Sequence, residues 1–319
     1  MTIRLFDPFS RAFERMSKAL FHPFDIKKWF VVGFTAFLSE LTDCGGNGGG
    51  GGGKSRGHVD WEEVLFFPQR AWEWLAENPV WATAIAFAAF LLFAFIILCV
   101  WWSSRGKFLF LDNVVHDRSQ VVAPWHEYRK EGNSLFLWML ILSAVVLAVV
   151  IAYLVQCITS LQALYETTAD MTTLILPAIL MALGLFAIML ITGFIDLMLY
   201  DFMVPIMYRD RVTAGKALQK FMPLLTSHFF SFIGYTLFYL FVIVLVVIAV
   251  IIAGLVTCCI GFVLLALPYI GAVVLLPVSY TLRAFSVEFL EQFGPEFQVF
   301  PRPETNSPAA ESPQVPAAS

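Results

Sequence analysis

Residues 29–41 read WFVVGFTAFLSEL, and the side of a membrane on which the rest of the chain lies depends on them. The stretch is mainly apolar and about 20 Å long as a helix, and it closes on Glu40. A hydrocarbon core roughly 30 Å thick asks for about 20 apolar residues. The segment is therefore either a short span or a re-entrant piece.

The surrounding composition makes a membrane the solvent. Of 319 residues, 59% are hydrophobic, 14% are charged and 32 are Phe, more apolar surface than a soluble domain of this length buries. Uncharged runs of spanning length occupy Val80–Trp102, Leu135–Gln156, Leu174–Ile195, Phe229–Val256 and Ile260–Leu282. In the first, Trp81 and Trp101 stand about 30 Å apart on a helix, one indole for each interface.

Charge decides the short segment. If residues 29–41 cross, 17 of the 20 Lys and Arg fall on one face and 3 on the other; if they do not, the division is 11 against 9. The positive-inside rule favours the first arrangement. The expectation is an all-α integral membrane bundle of six transmembrane helices in three hairpins, the first helix short, with amphipathic interfacial helices. Localisation follows as a multi-pass inner (cytoplasmic) membrane protein with both termini cytoplasmic.

That topology disposes of a motif. GGGGGGKS, residues 48–55, satisfies the P-loop pattern with Gly48, Gly53, Lys54 and Ser55. A P-loop needs a strand before it and a helix after it. Here a homopolymer follows a membrane helix on the outer side, so a flexible tether over 45–57 is expected and no nucleotide.

After the tether, Trp61, Val64, Leu65, Trp72 and Leu75 recur at helical spacing against Glu62, Glu63, Arg70 and Glu73, predicting an outer interfacial helix over 59–78 that Pro68 kinks or divides. A protein-docking face is the other reading of the same aromatics. Residues 1–28 predict a cytoplasmic amphipathic helix with Phe9, Phe13, Met16 and Leu20 on one stripe. Segments 103–134 and 196–228 read as amphipathic cytoplasmic loops, and they align in part when Asp117-Arg118 is set on Asp210-Arg211. Residues 29–290 form the membrane domain, and the Pro-rich residues 291–319 read as a disordered cytoplasmic tail.

The phrase VPIMYRDRVTAGKALQKFMPLL (204–225), with RLFDPFSRAFERM and FDIKKWFVVGFTAFL near the start, resembles uncharacterised multi-helix bacterial membrane proteins related to the membrane domain that accompanies some glycerophosphoryl diester phosphodiesterases. The resemblance covers residues 1–290. It implies a six-helix membrane fold and carries no chemistry, because the catalytic domain of those enzymes is a separate barrel.

Candidate site residues are few. Asp196 and Gln156 are the candidate intramembrane polar groups, since ionisable residues at depth mark pathways. Arg118, Arg129, Lys130, Arg209, Arg211, Lys216 and Lys220 are the candidate lipid-headgroup contacts. Asp112, His116, Asp117, His126, Glu127 and Glu131 gather metal-ligating side chains in one loop, but the proline between the histidines keeps them off one helix face, and no metal or other cofactor is expected. Neither a nucleophile elbow nor HExxH occurs. Cys44 lies where it could pair with Cys258 or Cys259, with free apolar thiols as the alternative.

Together these features predict a protein that is not an enzyme: a membrane-organising, lipid-contacting or partner-scaffolding component. Membrane lipids are its expected partners, with a second copy or another membrane protein beside them and no nucleic acid. A transporter or channel for a small or lipidic solute is the alternative, and a lipid-headgroup enzyme the third reading.

Overall fold

The computed structural model describes residues 4–42, 61–168, 171–257 and 260–301. The Gly-rich tether, the P-loop pattern and Cys44, Cys258 and Cys259 lie outside those residues. Among the described residues the chain is all-α, without a strand. Helix α1 covers Phe6–Phe21 and α2 covers Ile26–Glu40, the latter capped by Asp25, whose carboxylate accepts from Lys27 N at 2.8 Å. Then come α3 (Trp61–Glu77), running through Pro68, and α4 (Pro79–His116), which starts on a proline and ends at left-handed Asp117. A short α5 (Val122–Glu127) precedes α6 (Arg129–Thr168) and α7 (Met171–Met198). A π-helical turn, Leu199–Met203, carries α7 into α8 (Val204–Asp210). The remainder is α9 (Ala214–Ser227), α10 (Phe229–Val256), α11 (Ile260–Ala266), α12 (Pro268–Val274) and α13 (Leu276–Leu290).

Among the described residues, four helices are long and apolar enough to cross a membrane: α4, α6, α7 continued through α8, and α10. Each carries a band of exposed large side chains, for example Phe87, Phe90 and Phe93 on α4 and Leu237, Leu240 and Phe241 on α10. Apolar patches of that extent are stable against lipid and not against water. This protein is a membrane protein.

The short segment packs against one end of α4. Helix α2 lies along the last part of α4, running from the Lys28–Asp117 ion pair (2.8 Å) through Asn113 Nδ2 donating to Thr35 Oγ1 (3.2 Å) to Ser103 Oγ donating to Ser39 O (2.8 Å). From Ser103 back to Pro79, α4 continues for about 36 Å more. The fit is steric as well as polar, because Gly106 meets the α2 backbone at Leu38 and Ser39. The expectation of an amphipathic loop from 103 is corrected: residues 103–116 are helix, and 103–115 are buried under neighbouring helices. Within 196–228 the same correction applies to residues 201–208, which are buried, whereas Ala214–Ser227 is a helix that buries Ala214, Ala217 and Phe221 on one side.

That burial builds a core at one end of the bundle. Phe108, Phe110, Phe202, Phe221, Phe232, Tyr235, Phe285 and Phe289 are all fully buried there, in ring contacts such as Phe202–Tyr235 (4.9 Å) and Tyr235–Phe289 (4.8 Å). Helix α1 lies antiparallel on α13: Arg4 meets Gln292 while Phe9 meets Phe285, and Arg11 and Arg15 both donate from Nε to the buried Glu288 (2.8 and 2.7 Å). Of the predicted α1 stripe, Met16 and Leu20 face protein, whereas Phe13 stays exposed. Residues 291–301, read as part of the disordered tail, are packed. Glu291 accepts from Val299 N and Phe300 N, Phe297 and Phe300 are buried, and Arg15 covers the Phe300 ring at 3.8 Å. Glu288→Ala is expected to cost only about 1 kcal/mol, because both arginines are half exposed. It should nevertheless speed tryptic cleavage after Arg11 and Arg15, and unchanged cleavage would mean that α1 is held by its apolar contacts.

Residues 260–290 are divided near Pro268 and Pro277. The helix breaks at extended Leu267 before Pro268 and again at Leu275 before Pro277. The middle piece packs on α2, where Tyr269 OH donates to Phe30 O at 2.9 Å. The partial alignment of the two loops also has a counterpart, since both end a buried helical stretch on a left-handed residue, Asp117 (φ 51°) and Arg211 (φ 55°), one register apart.

Candidate functional site

Between α4, α6, α7, α10 and the broken α12–α13 lies a cavity of about 1120 Å³. Its walls are apolar over most of their height, with Phe95, Ile96 and Val100 from α4 facing Ile243, Val247 and Ile251 from α10. Gly193 of α7 contributes to the wall, and a Cβ added there would meet nothing within 4 Å. Three other glycines permit close packing: Gly184 lies against Tyr153, Gly254 against Phe262 and Gly271 against Leu265.

One end of the cavity is charged. Glu40 comes from the last turn of α2, Lys107 from α4, Asp196 from α7, Asp201 from the π turn and Arg283 from α13. The π turn inserts an extra residue into α7–α8 and so re-aims the side chains that follow, a distortion frequent at functional sites. Arg283 is 1% exposed. Its Nη1 donates to Tyr200 O at 2.7 Å and stands 3.9 Å from Asp201 Oδ1, and its guanidinium covers the Tyr200 ring at 4.5 Å. Lys107 Nζ lies 4.7 Å from the centre of that ring. Asp201 Oδ2 accepts from Tyr235 OH at 2.7 Å. Nε and Nη2 of Arg283 have no hydrogen-bond partner among the described residues.

Of the intramembrane candidates, Asp196 lines this cavity and Gln156 does not. Gln156 is exposed and donates to Ser160 on its own helix at 3.2 Å. Near the loops, Arg209 donates to Pro295 O at 3.1 Å and Arg211 pairs with Glu127. All seven basic headgroup candidates are exposed, although Lys220 is engaged with Asp210 at 2.6 Å.

The histidine-bearing loop separates. His116 Nδ1 lies 3.2 Å from Asp112 Oδ1 and 3.1 Å from Tyr208 OH, which itself donates to Asp112 at 2.8 Å, while His126 is exposed on α5. Tyr128 stacks on Tyr208 at 4.9 Å, and burial pushes its phenol up to about 12, against the pull of its hydrogen bond to Tyr208. No group of three or more His, Cys, Asp or Glu poised for a metal occurs among the described residues.

Sequence reasoning missed Glu40, Lys107 and Arg283. Each was assigned to a segment end or a loop by its charge. The available signal was a lone cation inside an apolar helical run, GKFLFLDNVV around Lys107 and TLRAFSVEFL around Arg283.

A family model described as a family of unknown function (DUF7544) matches residues 4–290. Neither a curated protein nor a solved structure matches the chain.

Proposed function

We propose that this chain, which belongs to the DUF7544 family, is a non-catalytic, lipid-contacting membrane component that holds an amphiphile inside its helix bundle. The observation that carries this reading is the cavity itself, with apolar walls along α4 and α10 and a cluster of charges at one end. A ligand suited to both has a hydrocarbon part and a polar head. The exposed apolar bands and the exposed basic residues around 118–130 and 209–220 supply the lipid contacts outside the bundle.

The proposal includes a topology. The packed, cation-rich end faces the cytoplasm of an inner membrane together with both termini, and the chain crosses six times, with the first crossing begun by α2 and the last made by residues 260–290. The charge asymmetry supports it. A thiol placed at Lys54 and labelled only from the cytoplasmic side would remove it. Kinship with the membrane domain accompanying glycerophosphoryl diester phosphodiesterases belongs to the same proposal, resting on the likeness at 204–225.

Transport of a lipidic solute is the second reading. It is favoured by the discontinuous α12–α13, whose Leu275 and Val278 border the cavity, since broken helices commonly line transporter sites. Directional movement of a labelled lipid in proteoliposomes would select it over simple holding.

Gly193→Trp tests the cavity. The indole enters open space, and replacing helical glycine adds about 0.5 kcal/mol of helix preference, so the fold should be kept. Native mass spectrometry of protein taken from its membrane is expected to show one lipid-sized adduct per chain, lost in the variant. An adduct that survives Gly193→Trp, or no adduct on the unmodified chain, would overturn the reading.

A further inference from the structure

We propose that the charged end of the cavity recognises a zwitterionic phospholipid headgroup, its phosphate on the side edge of Arg283 and its ammonium toward Glu40 and Asp196. The inference rests on the amphiphile reading and adds the chemistry of the head. Arg283 spends Nη1 on Tyr200 O, and the nitrogens left without an acceptor among the described residues, Nε and Nη2, form one complete edge of the guanidinium. Their N–H bonds run parallel, the fork that takes two oxygens of a phosphate or carboxylate. Buried polar groups without a partner are rare in native proteins and point to a water, an ion or a ligand. The apolar walls select a ligand with a chain: from Tyr239 to Ile251, α10 borders the cavity over about 18 Å of helix.

Charge balance narrows the head further. Glu40, Asp196 and Asp201 face Lys107 and Arg283 around one space, a formal sum of −1. A purely anionic head meets net repulsion there. A phosphate tethered to an ammonium matches both signs. Both free nitrogens of Arg283 are closed to a water-sized probe. The headgroup therefore reaches them as side chains at the charged end change rotamer, a rearrangement common at binding surfaces.

The test uses the full chain in detergent and probes sharing one oleoyl chain: lysophosphatidylethanolamine, lysophosphatidic acid and monoolein, with inorganic phosphate as a fourth. Native mass spectrometry is expected to show one lysophosphatidylethanolamine per chain, bound about tenfold more tightly than either other lipid. Arg283→Gln should reduce it to the monoolein level, and millimolar inorganic phosphate should not displace it. Equal or tighter binding of monoolein or lysophosphatidic acid would overturn the headgroup assignment and leave the amphiphile cavity standing, as would displacement by inorganic phosphate. Failure of all three lipids to bind, with Gly193→Trp no different, would remove the cavity reading. Should Arg283→Gln not fold, the probe series on the unmodified chain decides alone.

Discussion

Gly106→Leu is expected to detach α2 from α4 and to lower the thermal midpoint of the detergent-solubilised protein by about 10 °C. A Cβ at Gly106 would stand 2.6 Å from Leu38 C and 2.7 Å from both Leu38 Cβ and Ser39 N. These are largely backbone atoms of a packed helix, so no side-chain rotation relieves the clash. Overpacking of this kind costs about 1–3 kcal/mol. Separation also strands Ser103 and Asn113, each of which uses α2 as a hydrogen-bond partner, and a buried polar group left unmade adds about 1–3 kcal/mol. The combined effect is on the order of 3–5 kcal/mol. Gly33→Ala is the contrast: its nearest neighbour is a methyl, Val273 Cγ2 at 2.6 Å, with the Val273 backbone at 3.2 Å. A smaller loss than at Gly106 should follow. If the two variants unfold alike, the contact between α2 and α4 is less intimate than described.

The same contact explains where sequence reading succeeded and where it stopped. Uncharged runs marked four membrane-length helices, because in lipid the requirement for internal backbone hydrogen bonds makes hydropathy and helix nearly the same statement. The breaks before Pro268 and Pro277 have an equally local cause, the amide hydrogen a proline lacks. What lies beyond the apolar runs is different. Residues 103–115 mix Ser, Arg, Lys and Asp with Phe and Leu, so by composition they resemble a loop. They are buried because α2 and the π turn, distant in sequence, cover them. Arg105, Lys107 and Arg283 were counted among the cations that set topology, yet they are buried in protein. The site suffered most from this, since its charges come from five separate elements and of these only Asp196, at the end of the run 174–195, was read as a candidate. Gln156 showed the converse failure: hydropathy located it at depth, but nothing local said which face of α6 it occupies.

Asp201→Ala is expected to destabilise the bundle by about 3–5 kcal/mol, the usual loss when one member of a buried ion pair is removed. Asp201 is 2% exposed and Arg283 1%, so neither finds bulk water in place of the other. The variant leaves the Arg283 guanidinium with Tyr200 O and the Tyr200 ring face as its described contacts, and it takes the acceptor from Tyr235 OH. Removing both charges should hurt less than removing one. In Asp201→Leu combined with Arg283→Met, apolar volume replaces the pair and the remaining defect is the Tyr235 hydroxyl, about 1–3 kcal/mol. Denaturant or thermal unfolding of the two single variants and the double variant gives the coupling directly. A double variant as damaged as the sum of the singles would show that the 3.9 Å separation carries no mutual stabilisation. Arg283 would then be held by Tyr200 alone. A milder double variant places the two charges in one unit, so the arginine edge that faces no acceptor is oriented by Asp201 from one side and by the π turn that carries both Asp201 and Tyr200 from the other.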